Sequence, residues 1–152
     1  MKTLTILALV LIQSFAMAQD APAKVKEALK KKYPAAADVE WNKNGNEYEG
    51  EFYKNDMSMI GIFDASGNWL KTKKSIEEDA IPAPVLKSVM AKQPEAYVTN
   101  QYKIELNDGS VNYEVTLGTD DASYIFLVDA TGKILKTDKE VFSSDESGED
   151  EE

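Results

Sequence analysis

An α+β fold is predicted, built from two tandem repeats of one helix and a four-stranded antiparallel meander, with both helices on one face of the sheet. Three observations predict it. The first is self-similarity: Phe63-Asp64-Ala65-Ser66-Gly67-Asn68-Trp69-Leu70-Lys71-Thr72 returns as Val128-Asp129-Ala130-Thr131-Gly132-Lys133-Ile134-Leu135-Lys136-Thr137, and Tyr48-Glu49 as Tyr113-Glu114. A fixed offset of this kind marks a repeated architectural unit. The second is a proline-bounded amphipathic stretch ahead of each copy, with Pro22, Val25, Leu29 and Pro34 answered by Pro82, Val85, Val89 and Pro94. The third is the change from helical periodicity to period two, with turn signals between the runs. The predicted repeats are residues 22–74 and 82–139.

The helix from Pro22 to Tyr33 places Val25 and Leu29 on a narrow apolar stripe, with Lys24, Lys26, Lys30 and Lys31 outside it. Its counterpart from Pro82 to Gln93 places Val85, Leu86, Val89 and Met90 on one face. Proline ends each of them. Both are short and one-sided, so they need a sheet to lie on. In the first repeat, strands begin at Val39-Glu40-Trp41 and continue through Tyr48 to Phe52, Met57 to Phe63 and Trp69 to Lys73. Asn44-Gly45 and Asp64 to Gly67 form turns. In the second they cover Tyr97 to Leu106, Val111 to Leu117, Ser123 to Val128 and Lys133 to Lys139, with turns at Asn107-Asp108-Gly109 and Asp129 to Gly132. The linker Ser75 to Ala80 is short, which leaves one continuous eight-stranded sheet and two packed sheets both open.

The ends carry their own signals. Lys2, an apolar run from Leu4 to Phe15 and Ala16-Met17-Ala18 form the succession of a secretory signal peptide, with cleavage expected after Ala18. That leaves residues 19–142 as the folded domain, exported to the periplasm with no membrane insertion after cleavage. Residues 143–152 hold six carboxylates and no apolar side chain, the composition of a disordered acidic tail. With no cysteine, the domain has no disulfides and depends on its core.

Composition removes several functions. The chain has no histidine and no cysteine, which excludes serine–histidine triads, cysteine–histidine pairs and the usual zinc ligands. A net charge of −10 and the absence of arginine argue against nucleic acid as a partner. Acid pairs such as Glu49 with Glu51, or Asp120 with Asp121, read as solvated faces more readily than as a glycosidase pair. Asn42 to Glu47 has neither the leading Asp nor the closing Glu of a calcium loop. Asp64 and Asp129 are explained by turns whose amides their carboxylates accept. The expectation is therefore a protein without catalytic residues, metal ligands or cofactor. A small-ligand or calcium-binding protein is the alternative.

What remains is a surface. Met57, Met59, Phe63 and Trp69 share one strand parity, while Ile60, Ile62 and Leu70 share the other. Tyr124, Phe126, Val128 and Ile134 repeat the contrast against Ile125, Leu127 and Leu135. Both faces are apolar, so something other than a helix covers one of them. The reading puts Ile60, Ile62 and Leu70 beneath the helix and the aromatic set on the open face. Trp41, Tyr53, Met57, Met59, Trp69 and Tyr124 are then the candidate partner-binding residues, because Trp, Tyr and Met make interface anchors.

The run of signal peptide, helix ending in Tyr33-Pro34, Val39-Glu40-Trp41, Tyr48-Glu49-Gly50-Glu51-Phe52 and Phe63 to Leu70 resembles the PepSY-like, beta-lactamase-inhibitor-like family of exported bacterial proteins. The resemblance implies the topology of beta-lactamase inhibitory protein, two helix-plus-four-strand repeats whose open sheet face grips a partner protein or peptide. It also implies restraint of an extracytoplasmic enzyme, without naming one.

Overall fold

A computed structural model describes residues 20–142. The predicted signal peptide and acidic tail lie outside the described residues. The elements run α1 (Ala23–Lys32), β1 (Glu40–Asn44), β2 (Glu47–Lys54), β3 (Met57–Asp64), β4 (Trp69–Ser75), α2 (Ala83–Met90), β5 (Tyr97–Leu106), β6 (Val111–Gly118), β7 (Ala122–Asp129) and β8 (Ile134–Val141). A single 3₁₀ turn, Glu78–Ala80, sits in the linker before α2. The strands form one eight-stranded antiparallel sheet in chain order, β1 to β8. The two sheet arrangements left open above therefore resolve to one, because β4 pairs with β5 from Lys71↔Leu106 to Ser75↔Tyr102.

Each helix starts at a proline. The carbonyl of Pro22 accepts from the amides of Val25 and Lys26, and that of Pro82 from Val85 and Leu86. A ring that fixes φ and lacks a donor fits a position whose amide has no intrahelical partner. α2 closes at Met90, three residues before the predicted end. Gln93 precedes Pro94, which disfavours helical geometry there, and the amides of Lys92 and Gln93 turn back to the Val89 carbonyl.

α1 buries Val25 and Leu29 in a cluster with Phe52 and Phe63, and Tyr48, Met59, Trp41 and Trp69 pack around it. α2 buries Val85 and Val89 with Val115, Leu117, Phe126 and Val128, flanked by Tyr113 and Tyr124. Complementary volumes seat the two helices differently. On the α1 side the sheet offers Gly50 paired with Gly61, and a Cβ on Gly50 would meet Leu29 Cδ1 at 2.5 Å. On the α2 side the smaller Val89 packs in a cluster that holds Val115 and Phe126. Each fully buried aliphatic or aromatic side chain contributes about 1.5–3 kcal/mol.

The hairpin turns also fasten the helices. Gly67 and Gly132, at φ 86° and 91°, close the β3–β4 and β7–β8 turns through bonds from their amides to the carbonyls of Asp64 and Asp129. Both hairpins then carry a bulge, since Phe63 pairs with Trp69 while Ile62 pairs with Lys71, and Val128 pairs with Ile134 while Leu127 pairs with Lys136. Leu70 and Leu135 are the extra residues.

Candidate interaction face

Opposite strand residues share a face of the sheet. Following the pairing from Ile62 leads through Glu49 and Lys71 to Leu106, and from Ile60 through Glu51 and Lys73 to Ile104. Tyr102, Glu114, Leu127 and Lys136 continue this face, as do Thr116, Ile125 and Asp138. These positions alternate with the residues that pack against α1 and α2. Their face is turned away from both clusters.

Ile62 and Ile104 on it are nonetheless buried, at 0% and 4% exposure. Two lysines of β4 reach sideways to do this. Lys71 crosses β3 to Glu47, Nζ to Oε2 3.0 Å, and Lys73 crosses β5 to Glu114, 2.8 Å. Each spans two strand spacings, about 9.5 Å, so its methylene stem lies along the intervening isoleucine while the ammonium stays near water. Tyr102 stands beside the second strap, its ring centroid 5.8 Å from Lys73 Nζ. Half-buried Ile60, Leu106, Ile125 and Leu127 extend the apolar ground around the straps. At the β1 end a notch of about 160 Å³ is lined by Glu40, Trp41, Asn42, Glu49, Glu51 and Ile60, where Ser58 Oγ donates to Glu51 at 2.6 Å.

The sequence-based assignment of faces is thus inverted. Trp41, Met59 and Trp69 pack against the α1 cluster and Tyr124 against the α2 cluster. Met57 is half-buried at the start of β3, on the same parity as Met59. Of the six candidates only Tyr53, 69% exposed, shares the parity of Glu49 and Glu51. Ile60 and Ile62, expected under the helix, face away from it, and Leu70 and Leu135 sit in bulges. Alternation separates two faces without saying which one the helix takes. The signal that does so is Gly50 with Gly61, two glycines in adjacent strands that leave room for Leu29.

Among the described residues no buried side-chain polar atom lacks a hydrogen-bond partner. Buried Thr72 receives the indole Nε1–H of Trp69 at 2.9 Å and is hydrogen-bonded to the Tyr33 hydroxyl. Burial pushes the Tyr33 phenol above its ordinary pKa. Lys32 Nζ lies 3.5 Å from the centroid of the Trp69 ring, a cation–π contact that closes the end of α1 over the sheet.

The turn carboxylates are engaged locally. Asp64 accepts from the amides of Ser66 and Asn68 and from the Asn68 side chain, and Asp129 from Thr131 and the Lys133 amide. The side-chain bonds from Asn68 and Thr131 contribute most to holding these carboxyls below the usual range, and Ser110 does the same for Asp108. Among the described residues no group of three or more such ligands is placed to hold a metal ion, and no helix is long and apolar enough to cross a membrane. This face presents aliphatic ground, fixed charges and an exposed tyrosine at its margin.

Comparison with known proteins follows the same lines. A family model described as "Putative beta-lactamase-inhibitor-like, PepSY-like" matches residues 14–60 and 62–136. Among solved structures, one titled as a putative periplasmic protein from Bacteroides eggerthii superposes with TM-score 0.72 at 23% identity, over 80% of this chain and 90% of that one. A DUF2874 family protein from Bacteroides uniformis gives 0.70 at 26% identity, over 78% and 89%. A BLIP-like protein from Bacteroides fragilis gives 0.64 at 23% identity, over 84% and 92%. No curated protein matches the sequence.

Proposed function

Because this chain belongs to the PepSY-like, beta-lactamase-inhibitor-like family, we propose that it is a non-enzymatic, exported binding module that works in the periplasm. It recognises a protein or peptide through the sheet face opposite its helices. In this reading the two helix-plus-four-strand units act as repeats whose helices brace one face and free the other. The observation that carries it is the pair of straps, Lys71–Glu47 and Lys73–Glu114, over Ile62 and Ile104. A face sealed by its own long polar side chains keeps aliphatic ground soluble while leaving it within reach of a partner. The family description supports a narrower version, in which the partner is an extracytoplasmic enzyme and binding inhibits it. The description of a structural relative as periplasmic supports the compartment.

The experiment is site-specific photo-crosslinking in the host envelope from Ile60 and Leu127 on this face, with Lys30 on α1 as the outward control. One adduct formed from both face positions and absent from Lys30 is expected. Leu127→Asp is expected to abolish it without changing the circular dichroism spectrum. Adducts from Lys30 alone, or none from the face, would sink the proposal.

A further inference from the structure

β8 closes the sheet and has no neighbour on its outer side among the described residues. Apart from Ile134, all of its residues are exposed. Leu135, Val141 and Phe142, at 46%, 68% and 53% exposure, are three of the five exposed large hydrophobic residues described. An unpaired strand edge carrying apolar side chains is a template for another strand. We propose that β8 pairs antiparallel with β8 of a second copy, about a two-fold axis at Thr137, making one sheet of twice the width.

Charge selects both the occupant and the register. A two-fold pair that keeps the faces of the two copies aligned sets residues of like parity opposite one another, and its central residue opposite itself. Beyond the bulge, the regular stretch reads Lys136-Thr137-Asp138-Lys139-Glu140-Val141. Centring on any of its charged residues opposes that charge to its own copy, which destabilises a strand pair. Of its two uncharged residues Val141 ends the strand, which leaves Thr137 as the centre. With it, Lys136 lies opposite Asp138 of the second copy, and Asp138 opposite Lys136. Within one copy these two side chains already share the face of Leu127 and Ile125, with Lys136 Nζ 2.5 Å from Asp138 Oδ2, so the exchange needs only a sideways reach. The antiparallel sense also places the two Phe142 residues at opposite ends of the pair.

The test uses the absence of native cysteine. Antiparallel partners bring opposed Cα atoms to about 4.5–5.5 Å, within disulfide reach, so Thr137→Cys is expected to give a covalent dimer on mild oxidation. Lys31→Cys, exposed on α1, is not. In sedimentation equilibrium the unmodified protein is expected to be a dimer. Lys136→Asp should weaken it on the order of tenfold or more, by setting two like pairs opposite. The swap Lys136→Asp/Asp138→Lys should restore it. A monomer at all concentrations would overturn the proposal and leave the edge to water or to a different chain. A dimer that tolerates Lys136→Asp and gives no Thr137→Cys crosslink would overturn it by placing the contact elsewhere.

Discussion

Gly67 lies against the backbone of Lys24: a Cβ at this turn position would come within 2.9 Å of the Lys24 carbonyl oxygen in the first turn of α1. Gly132 makes the same approach to α2, where a Cβ would lie 2.6 Å from the Pro84 carbonyl oxygen. The hairpin tip after β3 or β7 is thereby the stop against which the helix start rests. A turn motif written twice in the sequence has a packing reason as well as a conformational one.

Alanine at these glycines should separate the two reasons. Gly109→Ala, at φ 85° with nothing within 4 Å, carries only the left-handed strain of about 1–2 kcal/mol. Gly67→Ala and Gly132→Ala add a backbone collision and should each lose more, with Gly132→Ala the worst. Urea denaturation of the three variants checks the order, and equal losses would mean that the helices do not rest on the turns.

Leu29 and Gly50 should behave as one unit. Leu29→Ala should cost about 2–5 kcal/mol as a cavity, and Gly50→Ala about 1–3 kcal/mol as overpacking. In the double variant the new methyl occupies space that Leu29 has vacated, so the loss should fall below the sum. Strict additivity in a double-mutant cycle would show that Leu29 does not sit over Gly50.

The straps should matter through their stems more than their charges. Both groups of the Lys73–Glu114 pair are about a fifth exposed, at 23% and 22%. Both groups still reach water, where an ion pair contributes about 0–1 kcal/mol and a carboxylate left alone can be solvated. Lys73→Met is therefore expected to stay within about 1 kcal/mol of the native protein. Lys73→Ala should lose about 1 kcal/mol more, because Ile104 is uncovered. Thermal melts distinguish the two, and equal losses would point to the ion pair itself.

Stability should fall at both ends of the pH scale for identifiable reasons. The Asp64, Asp108 and Asp129 carboxyls have lowered pKa values when folded. Their contribution is present above the unfolded pKa and is lost as pH falls through the folded one. Asp64→Asn with Asp129→Asn should flatten the acid limb of a stability–pH curve. Tyr33 has a raised pKa, so its contribution is present below the unfolded value and disappears as pH rises through the folded one. Tyr33→Phe should flatten the alkaline limb. Limbs unchanged in these variants would remove the assignments.

The strands, the turns at Asp64–Gly67 and Asp129–Gly132 and the proline-started helices were legible because each is encoded within a few neighbouring residues. The side of the sheet that α1 takes was not legible from alternation. It rests on the empty space over Gly50 and Gly61, which reads as a defect in a strand until Leu29 is placed on it. The straps left no local trace, since Lys71 and Glu47, or Lys73 and Glu114, meet only once two hairpins are side by side. Aromatic content pointed at Trp41, Trp69 and Tyr124 as contact residues, yet large rings are also what a short helix needs to bury.

The order of strands has a kinetic consequence. Every pairing except one joins strands separated by a turn of a few residues, so hairpins can form and add to one another without long searches. The exception is β4 with β5, where the whole segment from Ser75 to Tyr97, α2 included, must be looped out before the edges meet. Closing that loop carries the largest entropy loss in the sheet. The seam between the two hairpin pairs is therefore where refolding should wait and where unfolding should begin.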